Sequence, residues 1–279
     1  MLEKSRRFLK SLLELYKHGG ITSVNISYLN SGEVLFGKNI LITGGSSGIG
    51  LAIARKCIKG GARVIITGRN ISKLGEATRD LNSDLCHAIS WDISNVAIIR
   101  EKIKECEDIF GSPIDVLVNN AGIAPSKFWG EVDEIEWDAI YSTNLKGAYF
   151  LIQEIVNMWN LKGHDNYKKI INISSQGGYV GATYPYRMVK WDIRGLTEGL
   201  GKSLISNKII VNGIAPGIVK TSMQSFSLRQ SENLFTNQNP VKRVCLPEEI
   251  AELASFLISD TSNFIIGQTI VCDGGYILK

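Results

Sequence analysis

Lys38-Asn39-Ile40-Leu41-Ile42-Thr43-Gly44-Gly45-Ser46-Ser47-Gly48-Ile49-Gly50, continued by LAIARKCIKG over 51–60, is the stretch that decides the fold. Its first part is an apolar run ending in glycines, suited to a buried parallel strand. From Gly48 onward the apolar residues take helical spacing and the pattern stops at Gly60. The turn between them reads G-x-x-x-G-x-G through Gly44, Gly48 and Gly50. Glycines let the backbone turn sharply and let a pyrophosphate approach. The following helix start offers free N–H groups and a positive dipole end to an anion. Ser46 and Ser47 add hydroxyl donors, and Ile49 completes the turn. A ligand-free glycine turn has the same composition, but the strand–turn–helix setting favours binding. No G-K-[ST] follows, which argues against a nucleotide-hydrolysing P-loop.

Outward from this unit, strands and helices alternate. ARVIITG reads as a second strand and ISKLGEATRDL as a second helix. LCHAISWD, IDVLVNNAG, KKIINISS and KIIVNGIAPG read as later strands, and QTIVCDGG closes the series. Two long helices are expected between them, EWDAIYSTNLKGAYFLIQEIVNMW and PYRMVKWDIRGLTEGLGKSLI. Such alternation predicts an α/β chain with a single Rossmann-like, doubly wound parallel sheet flanked by helices over 37–279. An N-terminal helical arm, 1–36, precedes it. Ligands in this architecture bind beyond the carboxyl ends of the strands, where strand order reverses.

The second strand ends ITGRN. An acidic residue here commonly accepts from the ribose hydroxyl of a dinucleotide lacking the 2′-phosphate. This chain has Thr67 and Gly68 there, followed by Arg69 and Asn70. A guanidinium binds a phosphate through paired hydrogen bonds that a carboxylate would repel. NADP(H) is therefore expected over NAD(H).

Tyr186 and Lys190 form Y-x-x-x-K. On a helix these positions share one face. A cation beside a phenol favours the tyrosinate, each pKa unit being worth about 1.4 kcal/mol. The pair is a candidate general acid/base, with Lys190 expected to pull the Tyr186 pKa down. Alone, the same spacing also describes a solvated helix face.

Taken in order, TGGSSGIG, WDIS, NNAG, STNLKG, NISS, YRMVK, APGIVKT and GQTIVCDGG resemble the short-chain dehydrogenase/reductase family from about Gly37 to the C-terminus. The chain looks most similar to its 3-oxoacyl-carrier-protein reductase type. The resemblance implies that Asp92 and the Ile93 backbone receive the adenine. It places Asn120, Ala121 and Gly122 beside the cofactor ribose and has Asn144 hold a water in a relay through Lys190. Ser175 would polarise the substrate carbonyl and Tyr186 exchange the proton. Lys190 would also bind the nicotinamide ribose, and Pro216, Gly217, Val219 and Thr221 would border the nicotinamide. In physical terms, hydride arriving at a carbonyl carbon leaves charge on oxygen, which a hydroxyl stabilises and a phenol neutralises. Ser175 lies eleven positions before Tyr186, closer than many members show, with Ser174 as a rival. SQGGYVG after Ser174 favours Ser175. Tyr184 lacks a lysine four residues on and reads as a pocket or packing residue. Phe128 and Trp129 read equally as a pocket wall or as packing.

The expected activity is hydride transfer between NADP(H) and a carbonyl/secondary alcohol pair. A catalytically silent dinucleotide-sensing regulator on the same fold is one alternative. A nucleotide-sugar epimerase or dehydratase is another. Retention of Asn144, Ser175, Tyr186 and Lys190 favours an enzyme, and the lack of a sizeable C-terminal substrate domain argues against the nucleotide-sugar reading.

Bulk properties narrow the partners. The 279 residues carry a net charge of +4, concentrated in the arm at Lys4, Arg6, Arg7, Lys10 and Lys17 against Glu3 and Glu14. The remainder lacks the broad basic surface of a nucleic-acid binder. Five scattered cysteines without C-x-x-C suggest neither a disulfide framework nor a zinc site, and a reducing, cytoplasmic location. No metal is expected, and no run is long enough to span a membrane. In the arm, Phe8, Leu9, Leu12, Leu13 and Tyr16 fall on one helix side and the charges mostly on the other. The plain expectation is packing on the chain's own body or on a neighbouring subunit; the sharper one is weak attachment to an anionic membrane or acidic partner. The polar segment 222–243 resembles the family's substrate lid. A homodimer or homotetramer is expected, paired through the helices around 138–159 and 186–206.

Overall fold

Each strand expected from the sequence joins one sheet. A computed structural model describes residues 2–18, 32, 34–221 and 234–278. The strands are β1 (Asn39–Ile42), β2 (Arg63–Gly68), β3 (Cys86–Ser90), β4 (Val116–Asn119), β5 (Lys168–Ile173), β6 (Ile209–Pro216) and β7 (Thr269–Cys272). All pair in parallel, in the order β3-β2-β1-β4-β5-β6-β7. Residues of β1, β4, β5 and β6 are buried throughout, as expected of strands covered on both faces.

The pleat sorts the core into two layers. Ile40 and Ile42 join Ile53, Cys57 and Leu257, from α2 (Gly48–Lys59) and α8 (Pro247–Ile258). α3 (Ile71–Leu81) adds Leu74 and Ala77 to that layer. Leu41 and Leu117 point the other way, to Ile103 and Phe110 of α4 (Ile99–Phe110) and Ile152 and Trp159 of α6 (Gly147–Lys162). α7 (Pro185–Leu204) lies on this second face through Leu196, Leu200 and Leu204. Strand order reverses between β1 and β4, so a crevice opens beyond their carboxyl ends.

One expected helix is corrected. The segment read as continuous over 136–159 is α5 (Glu134–Tyr141), a wide π turn at Ser142–Lys146, and then α6. The Gly147 N–H reaches back to the Ser142 carbonyl. Gly147 is pressed against the Ile93 backbone: a Cβ there would lie 2.4 Å from the Ile93 oxygen. A π turn often marks a functional segment, and this one holds Asn144.

The arm forms α1 (Leu2–His18). Of its two expected packings, on the body or on a neighbouring subunit, the first does not run through the apolar stripe: Leu9, Leu12, Leu13 and Tyr16 are exposed. Contact with the body runs instead through Glu14, which pairs with Lys242 at 3.9 Å. The Phe8 side chain, residues 19–31 of the arm and residues 222–233 of the expected lid lie outside the described residues.

Lys169 is the unexpected charge in the core. It belongs to central strand β5 and is fully buried. Its ammonium donates to the Leu257 carbonyl at 3.2 Å, the Ser262 hydroxyl at 2.9 Å and the Ser259 carbonyl, around the end of α8. A helix C-terminus favours a cation, yet burial dominates and brings the Lys169 pKa down from 10.5 to about 8. Below pH 8 the folded chain carries a burial penalty of about 3 kcal/mol. The unfolded chain binds the extra proton between pH 8 and 10.5, so this penalty is relieved as pH rises through that window. Urea unfolding of wild type and Lys169→Met at pH 7 and pH 10 should show wild type gaining about 2–3 kcal/mol relative to the variant. A stability difference independent of pH would contradict this account of Lys169.

Candidate active site

The turn after β1 is held by side chains from β1 and β4. Thr43 Oγ1 accepts from the N–H groups of Asn120 and Ala121, both at 3.1 Å. Asn120 Nδ2 donates to the carbonyls of Thr43 and Gly44 at 3.0 and 2.9 Å. Gly44 has φ +66°, and a Cβ there would sit 2.8 Å from Ala121 Cα, so both backbone conformation and space require glycine. A cleft of about 450 Å³ opens at this edge. Gly44, Ser46, Ser47, Gly48 and Ile49 line one part of it, and Asn120, Ala121 and Gly122 another. Arg69 and Asn70 lie at one end with Asp92 and Ile93, and Thr221 closes over the turn. Thr221 Cγ2 would be 3.0 Å from a Cβ placed on Gly48. Gly50 is buried behind the turn.

The polar groups at the Arg69 end suit an anion. The Asn70 side chain caps α3 by accepting from the Lys73 N–H at 3.0 Å, and the first turn of α3 contains no acidic residue. The Lys73 side chain lines the cleft and extends the positive lining begun by Arg69. Sequence reading missed Lys73; its signal was a second cation four residues after Arg69, in the first turn of a helix that carries no acidic residue there. Trp91 was missed too: it is buried at the cleft, and its indole N–H has no partner among the described residues. Asp92 accepts from the Ser94 N–H and hydroxyl at 3.0 and 2.7 Å.

A second group of expected residues stands apart from this lining. Asn144, Ser175, Tyr186, Lys190, Pro216, Gly217 and Val219 do not line the cleft itself. Ile123, which does, packs against the same small cluster of Ile140, Val189 and Ile193 as Tyr186. Asn144 pins Ile123 with both ends of its amide, accepting from the N–H at 2.8 Å and donating to the carbonyl at 3.0 Å. The Asn144 amide thereby positions the loop after β4.

Ser175 and Tyr186 are neighbours. Ser175 has extended backbone, φ −167° and ψ 158°, and its Oγ accepts from the Gly177 N–H at 3.1 Å. Its own proton remains available to the neighbouring Tyr186 phenol, whose pKa the Ser175 hydroxyl acts to lower. Ser174 is buried and donates to the Lys190 carbonyl at 2.7 Å, a structural task. Lys190 is buried, donates to the Ile173 carbonyl at 2.9 Å and lies 5.5 Å from the centre of the Tyr186 ring. Phe128 meets Tyr184 edge-on, with ring centres 5.1 Å apart, while Trp129 is largely exposed.

The electrostatics correct one expectation. Crowding around Tyr186 pushes its phenol up from 10 to about 12; the Ser175 hydrogen bond opposes this but does not overcome it. Burial brings Lys190 down to about 8. The Lys190 ammonium itself donates to the Ile173 carbonyl at 2.9 Å.

The far wall carries Pro216 at the end of β6. The Gly217 N–H donates to the Cys272 carbonyl at 2.9 Å, and Val219 bridges Cys245. Cys245 and Cys272, 27 positions apart, are hydrogen-bonded thiols behind this segment; all five cysteines are free. No group of three or more potential metal ligands occurs among the described residues.

Comparison with known proteins bears on what such a site does. Residues 44–277 match the family model described as Enoyl-(Acyl carrier protein) reductase. The chain is 30 % identical over 246 residues to the 3-oxoacyl-(acyl-carrier-protein) reductase FabG of Aquifex aeolicus, covering 86 % of this chain and 98 % of that protein. It is 34 % identical over 249 residues to the NADP-dependent (R)-specific alcohol dehydrogenase of Lentilactobacillus kefiri, covering 87 % and 97 %. Among solved structures, the Pseudomonas aeruginosa RhlG/NADP active-site complex superposes with a TM-score of 0.82 at 29 % identity, covering 90 % of this chain and all of that one. The reductase and dehydrogenase relatives do not favour the regulator or nucleotide-sugar readings. The match across nearly the whole α/β body makes this chain a member of the short-chain dehydrogenase/reductase family, an oxidoreductase acting on the CH–OH/C=O pair.

Proposed function

We propose that the chain transfers hydride between NADP(H) and a carbonyl/secondary alcohol substrate, with Tyr186 exchanging the proton. The observation that carries this reading is Tyr186 beside Ser175 and one helical turn before the buried Lys190, whose ammonium lies 5.5 Å from the centre of the phenol ring. The cleft fits a dinucleotide: a glycine turn at a helix start for the pyrophosphate, and Arg69, Lys73 and Ser46 for a 2′-phosphate. Asp92 and Ile93 would border the adenine, and Pro216, Gly217, Val219 and Thr221 the nicotinamide. When bound, NADPH supplies the hydride. Ser175 donates to the oxygen on which charge develops, and Tyr186 then delivers its proton. A phenol is protonated at neutral pH, as an acid in carbonyl reduction must be. Lys190 fixes the helix register that sets the phenol beside Ser175. Phe128 and Tyr184 form the aromatic rim of the substrate entrance.

The chain is further proposed to self-associate as a homodimer or homotetramer through the α5–α6 and α7 faces. Trp137, Tyr149, Phe150 and Trp191 remain partly exposed there, and Tyr149 and Trp191 line a cavity of about 960 Å³. Trp191→Glu should lower the solution mass measured by light scattering; an unchanged mass would remove this face from assembly.

Tyr186→Phe keeps the ring and deletes the proton. NADPH-dependent reduction of a carbonyl panel should fall by about 10²–10⁴-fold while NADPH binding persists. Substantial residual turnover would remove Tyr186 from the chemistry. In wild type, reduction should hold through neutral pH and decline above about 8, where Lys190 loses its proton. For the cofactor, Arg69→Ala should weaken NADPH binding by about 10–100-fold and Lys73→Ala by about tenfold, with NADH little changed. An unaltered NADPH/NADH ratio in both variants would contradict the NADP preference.

A further inference from the structure

Helix α1 carries an apolar stripe that the body leaves uncovered. Leu9, Leu12, Leu13 and Tyr16 are 58, 47, 54 and 89 % exposed, and they recur at i, i+3, i+4 and i+7. Arg6, Lys10 and Lys17 are also exposed. At about 100° per residue they follow one edge of the stripe. Glu14 projects from the opposite side, is half-buried and meets Lys242 at 3.9 Å. The helix therefore meets the body by its Glu14 side and presents the leucines outward. An exposed apolar stripe edged by cations is the arrangement of a helix lying in a lipid interface. An anionic headgroup layer satisfies the leucines and the adjacent cations at once, which an apolar partner face alone would not.

We propose that α1 docks this protein on an anionic lipid surface, with Leu9, Leu12, Leu13 and Tyr16 set below the headgroups and Arg6, Lys10 and Lys17 among them. No described helix is long and apolar enough to cross a membrane, so the contact is peripheral. A single helix of this length binds reversibly, and the cationic edge makes the binding salt-sensitive. The docking does not rest on the chemistry assigned to the cleft, since none of these residues lines it.

The test uses the full-length protein and two kinds of vesicle, phosphatidylcholine alone and phosphatidylcholine mixed equally with phosphatidylglycerol. Wild type should co-sediment with the anionic vesicles at least about tenfold better than with neutral ones, and less so at high salt. Leu9→Gln, Leu12→Gln and Leu13→Gln combined should abolish this binding. Arg6→Gln, Lys10→Gln and Lys17→Gln combined should weaken it by roughly fivefold per side chain. Both variants should keep wild-type solution mass and NADPH-dependent turnover. The proposal is overturned if wild type ignores anionic vesicles, if the leucine variant binds as wild type does, or if that variant loses oligomer mass, which would assign the stripe to a second copy. Loss of turnover in wild type would bear on the proposed activity and leave the vesicle result standing.

Discussion

Two hydrogen bonds running in opposite directions fasten α7 to the end of β5. The Lys190 ammonium donates to the Ile173 carbonyl, and the Ser174 hydroxyl donates to the Lys190 carbonyl. A buried ammonium must have a partner, so this lysine can occupy few other positions. Further along, Asn119 donates to Asn172, Asn172 to Thr197, and Thr197 to the Ile193 carbonyl, tying two central strands to the same helix. The helix is thereby held in register against the sheet. Tyr186 lies one turn before Lys190 and Ser175 directly follows Ser174, so the clamp also fixes how phenol and hydroxyl meet. Alternation along an extended chain gives the adjacent serines different tasks: one holds the helix, the other faces the site.

What could be read from the sequence was what local patterns encode. The strands, the glycine turn and the face shared by Tyr186 and Lys190 depend on short spacings, and the sheet carries them as expected. The π turn inside the 136–159 helix was hidden because STNLKG keeps a helical composition; Gly147, just after it, lies against the distant Ile93 carbonyl. The Cys245–Cys272 contact was hidden for the same reason, since strand order alone brings those residues together. Lys73 was within reach, four residues beyond Arg69, but its relevance rests on where the first turn of α3 meets the cleft. The amphipathic pattern of α1 was plain, whereas the side facing outward was set by the Glu14–Lys242 pair.

The sign of the Tyr186 shift was the least legible feature. Spacing places a cation near the phenol, and Coulomb attraction alone would favour tyrosinate. Burial acts on both groups, however, and the ammonium is turned to a backbone carbonyl. Burial therefore raises the phenol, against the direction that the nearby cation alone would give. The positive lining of the cleft and the cationic edge of α1 are separate features of the surface.

The account's central claim is the division of labour between the two serines, and comparing Ser174→Ala with Ser175→Ala tests it most directly. Thermal unfolding and NADPH-dependent carbonyl reduction would be measured on both. Ser174→Ala should lose about 1 kcal/mol of stability and keep most of its kcat. Ser175→Ala should keep its stability and lose about 10²-fold or more in kcat. The reverse pattern, with catalysis lost at 174 and retained at 175, would contradict it.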